Sequence, residues 1–579
     1  MQRIDVPAFK GMAPKVSPAL LEPTQGVSVT GTVVSGELRP WRIPAFVELC
    51  PPDTESIYLT EQGEWLAWNE VVNVHPAVQA NDAFGRLYYT RESGGLYVIS
   101  PLDDWVELRV GVPKPPSPPT VAVTGSGSGT VEDRVYVYTY VNDWGEEGPP
   151  SDPSEFVEYQ PGQTLTVSGF APPPVGFKLA VTVRIYRIAA GNNEADWFFV
   201  DEISTAVSEY VDAKGDIDLG EAMSTAEYGL PPENGRGLVP LANGIFAVFE
   251  GNEISFSEPY LPYSWPDAFR LTVAGSIVAL GVSGMALVVL TTGTPYYVYT
   301  THPSIPKLSP EDFGQSRLAE ITPCVSPRSV VSTEFGVIFA APDGLRVLQG
   351  EGPSKLATEA LVGTDEWVTF FDPVNIRGVY YDATYFGFIP GQGFAYTPRL
   401  DILTWMGSGV RAMHSDGLSL FVVIGDGIYQ WNADVGLLRG GFRSKVFRFD
   451  KPVNFSTLRV DSSLPALFSL LRDMEAHVKE VNRTRTRVPL DLAGEVLLGQ
   501  GVAGDNLRGH PWSGGDLGWH EVWVWADGEE RFYGKIDEQG FARLPAGFLA
   551  REWQFEIRTF SQVKQITMGT STGAVARGR

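Results

Sequence analysis

VRAMHSDGLSLFVVIGDGIYQWN, residues 410–432, reads as two strands joined by a tight turn. Leu418, Leu420, Val422 and Ile424 alternate with Ser419, Phe421 and Val423, so both faces of the first strand are largely apolar. Asp426-Gly427 is the expected turn, because glycine reaches positive φ without steric cost and aspartate tolerates it. Ile428 and Tyr429 open the return strand, which ends at Trp431-Asn432. A strand apolar on both faces needs a sheet packed against each side, which no isolated hairpin provides.

The same unit recurs upstream. FAVFEGNEISFSEP (246–259) turns at Gly251-Asn252, ALVVLTTGTPYYVY (286–299) near Gly293, GVIFAAPDGLRVLQG (336–350) at Asp343-Gly344, and YFGFIPGQGFAYTP (385–398) around Gly391 to Gly393. The spacing, roughly 35 to 50 residues, overlaps the blade length of β-propellers and is too ragged for a named repeat. The expected fold is therefore all-β and multi-domain, with propeller blades over 236–436. Residues 1–112 form an N-terminal β region packing on the platform and propeller. Residues 113–235, entered through the Pro- and Gly/Ser-rich GVPKPPSPPTVAVTGSGSG, read as a fibronectin-III-like β-sandwich. There Val135, Val137 and Thr139 are expected on one face of a strand and Tyr136, Tyr138 and Tyr140 on the other. Residues 437–579 form a C-terminal β platform domain with one inserted helix, where Leu467, Leu470, Leu471, Met474 and Val478 keep helical spacing, and a Trp-rich segment.

A formal charge of −25 leaves no chain-wide basic footprint for tight DNA binding. Solubility accounts for it, as does a surface that must not adhere to nucleic acid. Cys50 and Cys324 are too few for a disulfide framework, and two free thiols in a reducing compartment are expected. The N-terminus lacks the apolar run of a secretory signal, and the most apolar window, Ile277 to Leu290, is shorter than a membrane span. No membrane span is expected.

Six scattered histidines and the absence of HExxH, CxxC and P-loop spacings point to no cofactor, no metal and no catalytic residue. Propellers also host glycosidases, which need two carboxylates roughly 5 to 10 Å apart. Asp143, Glu146 and Glu147 in NDWGEEG, or Asp365 and Glu366, are the candidates, and the first group reads as solvated acids in a turn. Arg483, Arg485 and Arg487 in NRTRTRVPL share a face at strand period, and Arg443 and Lys445 repeat that alternation where the propeller hands over to the next domain. Arg483, Arg485 and Arg487 suit phosphate or an acidic partner subunit, or else a solvated strand edge, and Arg443 and Lys445 suit a structural salt bridge; all five are candidates for contacts with acidic neighbouring subunits. The loop HPWSGGDLGWHEVWVW places Trp512, Trp519 and His520 as a docking loop or as cover for a sheet edge.

Several stretches together resemble the tail nozzle (tail tubular protein B-like) proteins of short-tailed bacteriophages. They are VSGELRPWR (34–42), VYVYTYVNDWGEEGPPSDPSE (135–155), ITPCVSPRSVVSTEFGVIFAAPDGL (321–345), LSLFVVIGDGIYQWN (418–432) with FRSKVF (442–447), and FARLPAGFLAREWQFEIRTFSQVKQITMGTS (541–571). The segments 466–482 and 505–533 depart from the family's pattern. The resemblance implies a structural, non-enzymatic virion component, assembled in the host cytoplasm. It forms a homo-hexameric ring in the tail that docks to an adaptor and to tail fibres or spikes. Double-stranded DNA would pass without tight or sequence-specific binding, since six copies would carry about −150 charges. The alternatives are a polysaccharide-cleaving propeller enzyme and a glycan- or receptor-binding tail module, the latter docking through the sandwich or the Trp/His loop.

Overall fold

The computed structural model describes residues 2–188, 196–242, 244–300, 310–350, 352–407, 409–434, 436–462, 520–536 and 540–576. Within them, 410–432 forms three antiparallel strands, Val410–Ser415, Leu420–Ile424 and Gly427–Gln430. Pairing of Ile424 with Gly427 leaves Gly425-Asp426 as the turn, one residue earlier than expected. Gly425 takes φ +60°, so the glycine that matters is the first loop residue.

Both faces of this sheet are buried, and by different neighbours. Leu420 and Val422 pack with Phe386 and Phe388, whereas Phe421 and Val423 pack with Ile57. The same division runs through every sheet of the ring. Tyr88 and Val98 meet Phe246 and Val248, while Ala247 and Phe249 meet Leu287 and Val289. Val288 and Leu290 meet Val337 and Phe339, while Ile338 and Ala340 share a core with Tyr385 and Phe394. Tyr58, Leu66 and Trp68 then return to Leu87 and Tyr89. Seven interfaces thus close on themselves, which is a β-propeller. Each fully buried Val, Leu or Phe contributes about 1.5–3 kcal/mol, so the stacked faces hold the ring.

Six blades have four strands: 72–109, 236–272, 277–317, 331–356, 377–406 and 410–430, the last completed by Ala45–Leu49. The seventh is a bare hairpin, Ser56–Leu59 with Trp65–Trp68. Ala45–Leu49 pairs with Gly427–Gln430, so strands nearly 400 residues apart in sequence close the circle. The propeller therefore extends beyond the expected 236–436, because 45–109 supplies one blade, the hairpin blade and the closing strand.

The sandwich is inserted between the outer strand of blade 72–109 and the inner strand of blade 236–272. It consists of two three-stranded sheets and a two-stranded pair. Tyr136, Tyr138 and Tyr140 fill its core with Leu165, Val167 and Val183, as their shared face predicts. The opposite face of that strand is buried as well, Val135 and Val137 included.

The platform unites both ends of the chain. Arg3–Val6 pairs with Val563–Gly569, and Gly26–Thr30 with Gly440–Ser444. One platform sheet runs on into blade 377–406 through the parallel contact of Thr30 with Trp405, giving ten strands in one sheet. Phe9, Met12, Phe442, Trp553 and Phe555 share one core with Ile338, Trp367, Tyr385 and Phe394 of the propeller.

The helix expected near 466–482 lies outside the described residues. A helix that periodicity does not reveal is Thr364–Phe371, whose core face is only Trp367 and Phe371, one turn apart. Trp367 Nε1 donates to the Ala341 carbonyl at 2.9 Å, tying the helix to blade 331–356. No described helix is long and apolar enough to cross a membrane.

Candidate functional site

The inner strands of the blades all begin at one mouth of the ring, and charged side chains gather there. Glu55 precedes the hairpin blade, Arg328 precedes the inner strand Val331–Thr333, and Arg377 begins the inner strand Arg377–Tyr381. Arg328 Nη1 and Arg377 Nη1 both reach the same carboxylate oxygen, Glu55 Oε2, at 3.1 and 3.0 Å. Arg328 Nη2 also donates to the Glu55 carbonyl at 3.1 Å. Hairpin blade and blade 331–356 stand three places apart, the widest separation in a seven-membered ring, so this bridge crosses the axis. Arg411 holds the connection leading to Glu55 by donating to the carbonyls of Pro52 and Gly425. Burial, and then the neighbouring Arg377, push the Arg328 guanidinium below its usual proton affinity, and Glu55 opposes that shift. Nothing in the sequence marks these residues, since blade order alone brings them together.

Deeper along the axis, the inner strands Ser56–Leu59, Val72–Pro76 and Val410–Ser415 border a cavity of about 720 Å³ that His75 and His414 line. Desolvation pushes the His75 imidazole down to about 4 and also lowers His414, whose ring lies edge-on to Tyr58 at 4.9 Å. Glu61 and Asp416 stand at the far end of these strands.

The expected partner-contact residues have internal partners. Arg443 Nε and Nη2 donate to Gln554 Oε1 at 3.2 and 3.1 Å, and its guanidinium lies 4.6 Å from the Trp525 ring. It borders a shallow cavity of about 380 Å³ with Arg439, Arg558 and Glu556. Lys445 Nζ donates to the Leu21 carbonyl, and burial lowers its ammonium. Arg483, Arg485, Arg487, Trp512 and Trp519 lie outside the described residues. His520 is not on a docking loop. It begins the platform strand His520–Ala526 with a ring 1% exposed, bonded to Thr559 Oγ1 at 2.9 Å and Ser462 Oγ at 3.2 Å. Alternation explains the error, since His520 shares the inward face of its strand with Val522 and Val524.

Nor are the acids of NDWGEEG solvated as a group. Glu146 is buried and paired with Arg86, which also holds Asp82 at 2.8 Å. Burial pushes the Glu146 carboxyl up, with Arg86 opposing. Trp144 lies 5.2 Å from the Arg86 guanidinium and 4.6 Å from Lys178 Nζ, while Lys178 pairs with Asp143 at 3.3 Å. This group fastens the sandwich to blade 72–109. Glu147 accepts from Tyr186, Thr139 and Arg184, each at 2.7 Å. Asp365 and Glu366 sit side by side in the first turn of their helix, where adjacent side chains diverge and acids suit the helix dipole. A GxSxG spacing does occur at 569–573, GTSTG, but Ser571 Oγ accepts the Ala574 N–H, and no described hydrogen bond joins it to a histidine. Among the described residues no group of three His, Cys, Asp or Glu side chains is placed to hold a metal. Cys50 and Cys324 are free and buried, and desolvation pushes the Cys324 thiol up to about 12.

No protein-family model and no curated protein matches the chain. Among solved structures it is similar to BBS1N, crystallised in complex with ARL6DN, at 12% identity over 67% of this chain and 96% of that one, with a TM-score of 0.27. The AfRom2 CNH domain follows at 10% identity, 68% and 98% coverage and a TM-score of 0.27. The Neurospora crassa Pan2 WD40 domain stands at 9%, 69% and 99%, again with 0.27. Superpositions this loose add nothing to the ring already visible in the chain's own sheets.

Proposed function

We propose that the chain is a structural subunit of a bacteriophage tail, forming the distal ring-shaped nozzle that conducts DNA out of the virion and docks to an adaptor and to tail fibres. The observation that carries this reading is the ten-stranded sheet that joins blade 377–406 to the platform. It binds propeller and platform into one stiff body, as suits a part that must assemble and bear load. The stretches that resemble tail nozzles support the same reading, VSGELRPWR and the closing FARLPAGFLAREWQFEIRTF in the platform and LSLFVVIGDGIYQWN in the ring.

The duplex path in this reading lies between copies and not through one propeller. Glu55 and Arg328 bridge the axis within hydrogen-bond distance, whereas the grooves of DNA alone measure about 6 and 12 Å. A formal charge of −25 per chain would keep the departing duplex from adhering to the lumen. Arg443 is retained as a subunit contact, because in its cavity Arg439 and Arg558 are paired with Glu521 and Glu556, whereas Arg443 meets, among the described residues, only the neutral Gln554 amide and the Trp525 ring.

Mass photometry of the purified protein, alone and with its adaptor, tests the ring. Six-fold mass is expected, and a monomer that persists under both conditions sinks the proposal. Release of reducing ends from envelope polysaccharide would instead favour a glycan-cleaving enzyme.

A further inference from the structure

We propose that the Arg328–Arg377 mouth of the propeller is a binding site for an oxyanion, a carboxylate or a phosphate, on an incoming ligand. The inference is independent of the nozzle reading.

Two guanidinium groups converge on a single oxygen of a single carboxylate, Glu55 Oε2. One positive charge is therefore left over in a recess where the Arg328 side chain is only 20% exposed and the Arg377 side chain 27%. Glu92 also acts on Arg328, more weakly than Glu55 does. Arg411 adds no further unpaired charge, since its guanidinium is turned to backbone carbonyls and Asp426.

Donors are available as well as charge. Arg377 Nη1 serves Glu55 and the Arg411 carbonyl, while Nε and Nη2 of Arg377 have no hydrogen-bond partner among the described residues. A guanidinium edge with two free N–H groups is the half of a fork that a planar carboxylate or a phosphate completes. The lowered proton affinity of Arg328, caused in part by Arg377, is the strain that a second anion would relieve.

The pair is held in place, so an incoming anion need not order it. Arg377 starts a blade strand, and Arg328 lies in the short turn Pro327–Ser329, fixed by Ser326 Oγ donating to the Ile376 carbonyl at 2.8 Å. Preorganised donors in a partly desolvated recess favour binding over the same groups on a mobile loop.

Titration of the full-length protein with inorganic phosphate, and separately with glutarate, at constant ionic strength decides the matter. Isothermal calorimetry should show saturable one-site binding by at least one, and whichever binds tighter identifies the natural anion as phosphate or carboxylate. Arg377→Gln should weaken it roughly tenfold or more, the effect of removing one charged fork. Glu55→Gln should tighten it by a similar factor, because the internal competitor is gone. A purely structural Glu55 predicts no such gain. Equal affinity in wild type and Arg377→Gln, or no gain with Glu55→Gln, overturns the proposal. If a variant fails to fold, the phosphorus line width of phosphate with wild-type protein still decides, since absence of saturable broadening, together with no glutarate heat, refutes the site.

Discussion

The ring and the sandwich inserted in it hold themselves together by opposite means. Blade faces in the propeller are packed with apolar residues, alternate residues of one strand serving two neighbours, as Val288 and Val289 do. The sandwich buries a charge cluster instead. Arg187 and Asp212 are fully buried and 3.1 Å apart, Tyr136 donates to Asp212 at 2.6 Å, and Arg134 stands 3.7 Å away. Even its attachment to the ring is ionic, Arg86 of the ring pairing with Glu146 and Asp103 of the ring with Lys178. Apolar faces tolerate small mismatches, whereas removing Asp212 from this buried cluster leaves Arg187 and Arg134 with only the partly exposed Asp216 and Glu132 as acidic partners among the described residues.

The largest effect that would test this contrast is at Asp212. Asp212→Asn should destabilise the sandwich by about 3 kcal/mol, since two guanidinium groups would face a neutral amide in its interior and keep only Asp216 and Glu132 at its edge. Limited proteolysis should then cut within 113–235 while the ring stays intact. A shift of below about 1 kcal/mol would mean the cluster is better hydrated than its burial implies.

Leu420→Ala in the closing blade should cost about 3 kcal/mol through the cavity it leaves. Its urea transition should fall with that of the whole ring, because every blade supports two others. Loss confined to one blade would break the contrast from the other side.

Acid should separate the two regions further. The His75 imidazole is neutral in the fold, with its pKa pushed down to about 4 from 6.5. Its contribution is therefore present above pH 6.5 and is lost as pH falls toward 4, where the unfolded chain binds the extra proton. With allowance for its partial contact with solvent, the loss is about 2 kcal/mol. Residues 113–235 contain no histidine, so the sandwich should show no such step. His75→Gln followed by thermal melts from pH 7 to 4 checks both statements.

The smallest effect belongs to Lys114 and Asp152, an exposed pair at 2.6 Å where the chain enters the sandwich. Lys114→Ala should change stability by under about 1 kcal/mol and be masked by salt.

What could be read from residues alone follows from these differences. Alternation in LSLFVVIGDGIYQWN and its upstream counterparts determined that strands were buried on both faces, and hence that sheets were stacked in a ring. That signal is local, repeating every second residue along a strand. Tyr136, Tyr138 and Tyr140 were legible as a core face for the same reason. Tertiary structure alone decided that Ala45–Leu49 closes the last blade, that 45–109 belongs to the ring, and that His520 points inward. It alone brought Glu55 to Arg328 and Arg377, and Arg86 to Glu146. Those pairings join residues 60 to more than 300 positions apart, and a single charged side chain carries no periodicity to reveal its partner. Chain order sets which faces can be apolar, whereas only closure of the ring sets which charges meet across it.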